Sequence, residues 1–385
     1  MNHVILLGII YFAFISLGLP DSVLGVAWPA MRTSLAQPIE AAGLITLVLT
    51  ICSAISSFAS GTVLKRLGTG PVVMISGLLT GLALLGFSSG PSFGVLLLLA
   101  VPLGLGAGSV DAGLNHFVAQ HYSSRHMNWL HGCWGIGATL GPVIMGMALA
   151  TTAGWTQGYR HIAFIQLGLA FLFLLTLPLW NRERATPGND VHDAQPVTLK
   201  PLNPKAPWLA VSLYLVYATI EVGTGLWAAS VLVDDRHVSA PTAGLWVSCF
   251  YGAIMAGRFG TGLIAARMGN RRLVRYGLVM AMLGAALFSV SGLPPSLSLV
   301  GLMLLGLGCA PIYPSLMHET ARRFDANTAR IVIGRQVGFA YVGGAAGPAA
   351  MGLLAAAAGA GAIMPMVFLA VVLLLILSEV LNTMT

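Results

Sequence analysis

The chain has 385 residues, 57% of them hydrophobic and only 8% charged, and carries a formal net charge of +7. Soluble domains carry roughly 25% charged residues, so 19 basic and 12 acidic side chains are too few to coat a soluble body of this length. The composition points to lipid as the solvent, and apolar runs that are continuous rather than alternating argue against a β-barrel.

Taken in chain order, the runs Val4–Gly18, Val72–Phe87 and Met366–Leu377 each span a bilayer once flanking residues extend them to about 20. The first run lacks a basic leader, and no soluble domain follows it. It reads as a retained helix rather than a signal peptide. Breaks in hydropathy predict twelve helices, at 4–31, 41–64, 71–89, 93–120, 128–151, 159–180, 208–233, 242–266, 273–292, 296–322, 331–357 and 362–382. The connections are short except for Asn181–Pro207, a polar, proline-rich linker between an N-terminal half (1–180) and a C-terminal half (208–385). Cys52, Cys133, Cys249 and Cys309 all lie in apolar runs without CxxC spacing, and read as small buried packing residues.

The basic residues orient the spans. With a cytoplasmic N-terminus, fourteen of them, from Lys65 and Arg66 to Arg323 and Arg330, fall on inner loops and helix ends. Only Arg32, Arg160 and Arg236 fall outside, and Arg258 and Arg335 lie within helices. Both termini are therefore expected inside a cytoplasmic (inner) membrane. This bias accounts for the net charge, so nucleic acid is not an expected partner. The expected partners are the lipid bilayer and a small-molecule substrate, and a monomer is expected. No nucleophile constellation, zinc spacing or phosphate loop is present, which argues against an enzyme, and no cofactor is expected beyond a proton gradient. The stretch GLGAGS at Gly104–Ser109 looks like the start of a dinucleotide fingerprint, but no soluble βαβ unit surrounds it.

The two halves repeat at an offset near 200 residues. GTVLKRLGTG (Gly61–Gly70) aligns with GLIAARMGNR (Gly262–Arg271), and GLGAGSVDAGLNH (Gly104–His116) with GLGCAPIYPSLMH (Gly306–His318), which sets Tyr313 opposite Asp111. Gly141-Pro142 matches Gly347-Pro348, and Asp21 falls opposite Glu221. Six helices per half is an even number, so the repeats are parallel. This arrangement resembles the major facilitator superfamily. In that superfamily the loop after the second helix carries G-x-x-x-D-R-x-G-R-R/K. Gly61, Arg66 and Gly68 match it, with Lys65 where an acid is usual, and the second copy keeps Gly262, Arg267, Gly269 and Arg271-Arg272. The resemblance implies an all-α polytopic fold of twelve helices that works by alternating access, with Arg66 and Arg267 in the gating loops. Arg258 is expected to anchor the inner end of the eighth helix by pairing with an acid or with carbonyls.

Among the acids, only Asp21, Asp111 and Glu221 sit deep in apolar helices. Glu319 and Glu379 lie near helix ends, where water is expected to reach them. An ionisable group at depth is costly unless it faces a cavity or a partner, so these three are the candidate proton-coupling residues; the alternative is a hydrogen bond that only holds helices together. Gly104, Gly108, Asp111 and Asn115 form one helical stripe. Its glycines allow close approach of a neighbouring helix, and Asn115 offers both donor and acceptor to a substrate hydroxyl. Phe14, Gly18, Asp21, Gly25 and Trp28 form a comparable stripe, unwound or kinked at Pro20. Tyr214, Tyr217, Glu221 and Gly225 share a face of the seventh helix. The fifth helix adds Asn128, His131 and Trp134, and the eleventh adds Gln336 with Phe339 and Gly343. Acids and amides beside aromatic rings suit a sugar, although such stripes also serve packing. His131 is either a proton relay or ligand donor, or a hydrogen-bonded histidine of the bundle.

Within the superfamily, several stretches are similar to the fucose–galactose–glucose/proton symporter branch. They are the first-helix acid Asp21, the fourth-helix Asp111 and Asn115 behind their glycines, NWLHGCWGIGATLGP (Asn128–Pro142), YATIEVGTGLW (Tyr217–Trp227), AGRFGTG (Ala256–Gly262) and GLGCAPIYPSLM (Gly306–Met317). The resemblance implies that Asp21 and Asp111 bind sugar and couple protons. The resulting expectation is a proton-coupled symporter of a sugar or similar polar solute. The alternatives are a proton-driven exporter of a drug or amphipathic metabolite and a non-transporting sensor; the linker is too short for a folded signalling domain.

Overall fold

The computed structural model describes residues 2–90, 92–121, 124–183 and 203–385, with a few side chains inside these ranges, Asn128 among them, outside the description. Most of the linker therefore lies outside the described residues. The described chain is helical: α1 (Asn2–Asp21), α2 (Val23–Ser34), α3 (Ala41–Leu67), α4 (Thr69–Phe87), α5 (Phe93–His121), α6 (Ser124–Leu149), α7 (Gly154–Leu175), α8 (Leu177–Glu183), α9 (Ala206–Ser230), α10 (Ala240–Met268), α11 (Asn270–Ser289), α12 (Pro295–Cys309), α13 (Ile312–Arg323), α14 (Ala326–Ala358) and α15 (Ile363–Met384). A π-turn (Val231–Asp235) extends α9, and a single 3-10 turn precedes α15.

Among the described residues there are twelve stretches long and apolar enough to cross a membrane, one for each expected span. The first is broken between α1 and α2 at Ser22, and the tenth between α12 and α13 at Ala310-Pro311. The sixth begins earlier than hydropathy alone indicates, at Gly154, because the polar first turn of α7 is already helical. Large outward-facing apolar side chains such as Phe58, Leu98, Leu263 and Leu353 are what a lipid-facing surface requires. The four cysteines are free. Cys309 is buried, but Cys249 is exposed on α10, which corrects the expectation that all four are packing residues.

By contact the chain divides into two units, one comprising Met1–Val191 with Ala240–Ser248 and the other His192–Ser239 with Cys249–Thr385. The opening turns of α10 thus belong with the first unit, where Ser248 Oγ donates to Thr139 O at 2.8 Å.

Glycine seams hold each unit together, and the repeat predicts where they fall. In the first unit α1 lies against α6: a Cβ on Gly137 would collide with Ile15 O, and one on Gly141 with Leu19 O. In the second, α9 lies against α14, where a Cβ on Gly343 would strike Leu215 O and one on Gly347 the Thr219 side chain. Gly104 presses on Leu49 O of α3 in the same way that Gly306 presses on Phe250 O of α10. In both repeats the signature-loop glycine turns the chain at positive φ, +86° at Gly68 and +77° at Gly269, a conformation that L side chains rarely adopt.

Two proline notches in the first unit are filled from neighbouring helices. Pro20 has no N–H to offer Ser16 O, four residues back. Gln166 of α7 supplies the donor through Nε2 at 2.7 Å, while Ser16 Oγ donates to Gln166 Oε1. Pro142 likewise leaves Ala138 O without its helical donor, and Ser22 Oγ at the α1–α2 break donates to it at 2.8 Å. The expected interruption beside Asp21 is therefore a built feature whose loose backbone groups have partners.

Candidate functional site

The first unit carries two of the three deep acids. Asp21 is the last residue of α1, one position before the helix breaks, and its side chain is exposed. The indole of Trp134 on α6 donates to Asp21 Oδ2 at 2.8 Å, leaving Oδ1 to accept a hydroxyl or a proton. One turn earlier on α6, His131 is exposed and meets the ring of Phe14 edge-on at 5.8 Å. The Gly18–Gly137–Gly141 seam sets the separation of α1 and α6, and so holds Trp134 against Asp21.

Asp111 on α5 is half-buried, and its carboxylate lies within electrostatic range of Asp21. Asn115, one turn further on, uses its amide nitrogen on Asp111 twice, on Oδ1 at 2.8 Å and on the carbonyl at 2.9 Å. This refines the expected role of Asn115: its donors orient Asp111, and the amide oxygen is the acceptor it can present to a ligand. Gly104 and Gly108 do form the packing part of the stripe. They press on Leu49 and Ser53 of α3, and Ser53 Oγ donates to Gly104 O at 3.0 Å.

The second unit treats its acid differently. Glu221 of α9 is ion-paired with Arg258 of α10, Oε1 to Nη2 at 3.0 Å, with each side chain about one-sixth exposed (15% and 17%). Arg258 therefore pairs with an acid, one of the two expected options. Tyr214 and Tyr217 were expected to face a solute, but both rings are buried. Their hydroxyls donate to carbonyls beside the α12–α13 break, Tyr214 to Tyr313 O at 2.9 Å and Tyr217 to Cys309 O at 3.2 Å. The two hydroxyls thus tie α9 to the backbone on either side of the break. Tyr313, the repeat counterpart of Asp111, packs against both rings at 4.8 and 5.9 Å.

Other candidates fall elsewhere. Gln336 is buried and spends Nε2 on Thr320 Oγ1 at 2.8 Å and Ala210 O at 3.2 Å, which ties α14 to α13 and α9 instead of facing a ligand. Phe339 meets Trp208 edge-on, and the Trp208 ring also carries the Arg335 guanidinium 4.7 Å from its centroid. Trp28 is fully buried, with Nε1 on Ile39 O at 2.9 Å, and so lies apart from Asp21. Arg66 and Arg267 are exposed at the ends of α3 and α10. Asn128 lies outside the described side chains.

Two groups escape a reading by residue type and stripe. Gln166 is the one amide in the apolar middle of its span, as Gln157 lies in the polar first turn, and that isolation was the available signal. Glu319 was expected to be water-accessible, but it is buried. Its Oε2 accepts from Arg271 Nε at 3.1 Å and lies 3.6 Å from Arg323 Nε. Arg323 follows it by four residues, a spacing that indicates such a pair.

A Major Facilitator Superfamily model matches residues 10–228 and 209–383. The chain belongs to the major facilitator superfamily. It is also 27% identical over 325 residues, 82% of each protein, to the uncharacterized transporter y4wD of Sinorhizobium fredii (strain NBRC 101917 / NGR234). Solved structures share the fold. A bacterial homolog of the human lysosomal transporter Spinster, in an inward-facing and occupied conformation, matches with TM-score 0.76 at 12% identity, covering 100% of this chain and 97% of that one. A mutant of the nucleoside transporter NupG matches with TM-score 0.77 at 13% identity, covering 97% and 98%. This superfamily member is thus a multi-pass membrane transporter.

Proposed function

We propose that this transporter is a proton-coupled symporter of a sugar or similar neutral polyhydroxylated solute, of the fucose–galactose–glucose/proton symporter type. The observation that carries the reading is the pair of acids in the first unit, Asp21 oriented by Trp134 and Asp111 oriented by Asn115, within electrostatic range of one another. A carboxylate set in an apolar helix is a candidate proton carrier, and this unit presents two, each oriented by a polar neighbour. The exposed Asp21 Oδ1 and the Asn115 amide oxygen are acceptors for sugar hydroxyls, and the ring of Trp134 offers an apolar face for sugar C–H groups. Glu221 is already matched by Arg258, so the reading moves the proton from all three acids to Asp21 and Asp111. Coupling follows if the proton and the solute prefer the same state of an alternating-access cycle.

Uptake of a labelled sugar panel into proteoliposomes, with and without an inward proton gradient, tests this. At least one sugar should accumulate above equilibrium only when the gradient is present. Asp111→Asn should abolish that uphill accumulation while sparing exchange of solute across the membrane. Unchanged accumulation in this variant would remove Asp111 from coupling. Extrusion of a lipophilic cation, with no sugar accumulated, would replace the symporter by an exporter.

A further inference from the structure

One end of the second unit gathers positive charge beyond what its acids match. There α10 ends at Met268, α11 begins at Asn270, and α13 ends with Arg322 and Arg323. Together they line an open cleft of about 390 Å³, whose walls include Asn270, Arg271, Arg272, Glu319, Arg322 and Arg323. Four guanidiniums thus face a single carboxylate. Glu319 is already committed, with Oε1 accepting from Asn270 Nδ2 at 3.3 Å and Oε2 engaged by Arg271 and Arg323. The nearby Glu379 is held by Arg275, with Nε to Oε1 at 2.7 Å.

Arg323 makes the cleft more than a surface charge cluster. Its side chain is only 3% exposed, and it spends Nη2 on Asn382 Oδ1. Its Nη1 is buried without a hydrogen-bond partner among the described residues. Burial first, and then the like charge of Arg271, hold this guanidinium below its ordinary pKa, as expected where counter-charge is short. An orphaned donor of this kind costs free energy until something accepts from it. Gly269, at φ +77°, delivers the first turn of α11 to the same cleft, and that turn contains no acid. Its free amides add to an anion's binding there.

We propose that this cleft binds a phosphate-bearing anion, either the headgroup of an anionic phospholipid or free phosphate. Guanidiniums at this density match tetrahedral oxyanions through paired N–H donors, which an ammonium cannot do as well. The exposed Arg272 and Arg322 would gather the anion at the mouth, and Arg323 Nη1 with the α11 amides would hold it deeper in the cleft.

The test uses the full-length purified transporter in two settings. Inorganic phosphate is titrated calorimetrically in detergent at constant ionic strength. The thermal midpoint is then compared in nanodiscs of phosphatidylglycerol and of phosphatidylcholine. The informative variant is Arg272→Gln/Arg322→Gln, both positions being exposed and dispensable for packing, with Arg160→Gln as the control. Saturable phosphate binding that the double variant weakens about tenfold, and the control does not, supports a free-phosphate site. Absence of phosphate binding, together with a phosphatidylglycerol-specific rise in midpoint that the double variant loses, supports a lipid-headgroup site. If neither probe acts, or if the double variant responds as the wild type does, the proposal is overturned.

Discussion

At the scale of single residues, the acids at matching positions of the repeat are accommodated in two ways. Glu221 gains a cation, Arg258, at 3.0 Å, whereas Asp21 gains an indole N–H from Trp134 at 2.8 Å. An ion pair leaves each partner dependent on the other, because removing one strands a charge in a poorly solvated place. Breaking fully buried pairs costs about 3–5 kcal/mol, and the 15% and 17% exposure here lowers the expectation to about 2–3 kcal/mol through partial screening. Arg258→Met and Glu221→Gln should therefore each lower the thermal midpoint, with Arg258→Met the more harmful because it strands a carboxylate. The combined variant should recover part of that loss. Strict additivity in this double-mutant cycle would mean that the two side chains do not interact energetically.

At the scale of elements, Pro20 and Pro142 show how a membrane helix is interrupted without leaving backbone groups unpaired. Hydrocarbon offers no water to an orphaned carbonyl, so a proline in a span needs a donor from a neighbour. Ser16 O finds one in Gln166, and Ala138 O in Ser22. The first of these lies one turn from Asp21, so the packing of α7 against α1 helps fix where α1 stops and where that carboxylate emerges. Gln166→Leu keeps the volume but withdraws both hydrogen bonds from Ser16, which should cost about 1–3 kcal/mol in unfolding measurements. Pro20→Ala returns a backbone N–H to Ser16 O, so in that background Gln166→Leu should cost distinctly less. An equal loss in both backgrounds would show that Gln166 acts by packing alone.

At the scale of the whole molecule, twelve spans, a parallel repeat and two glycine seams were legible because lipid imposes long apolar runs, and close helix contact demands glycine at fixed spacing. The acids were legible for the same reason, since Asp21, Asp111 and Glu221 stand out against an apolar background. Their partners were less so. A tyrosine on a stripe looks alike whether its hydroxyl meets a solute or, as with Tyr214 and Tyr217, a backbone carbonyl beside a helix break in another span. Glu319 looked solvated because helix ends usually are, yet Arg271 arrives from a different helix and buries it. Orientation rests on the excess of basic residues at one set of loops, and it predicts a pattern that single sites can read. In a cysteine-free background, Arg272→Cys lies in the first turn of the ninth span and Ser89→Cys between the third and fourth, both exposed. With both termini cytoplasmic, an odd number of crossings precedes Ser89 and an even number precedes Arg272. A membrane-impermeant maleimide added to intact cells should therefore label the Ser89→Cys protein and not the Arg272→Cys protein, and inside-out vesicles should reverse the result. Labelling of both from one side would contradict the count of crossings between them, while a clean but inverted pattern would keep the twelve spans and overturn the orientation.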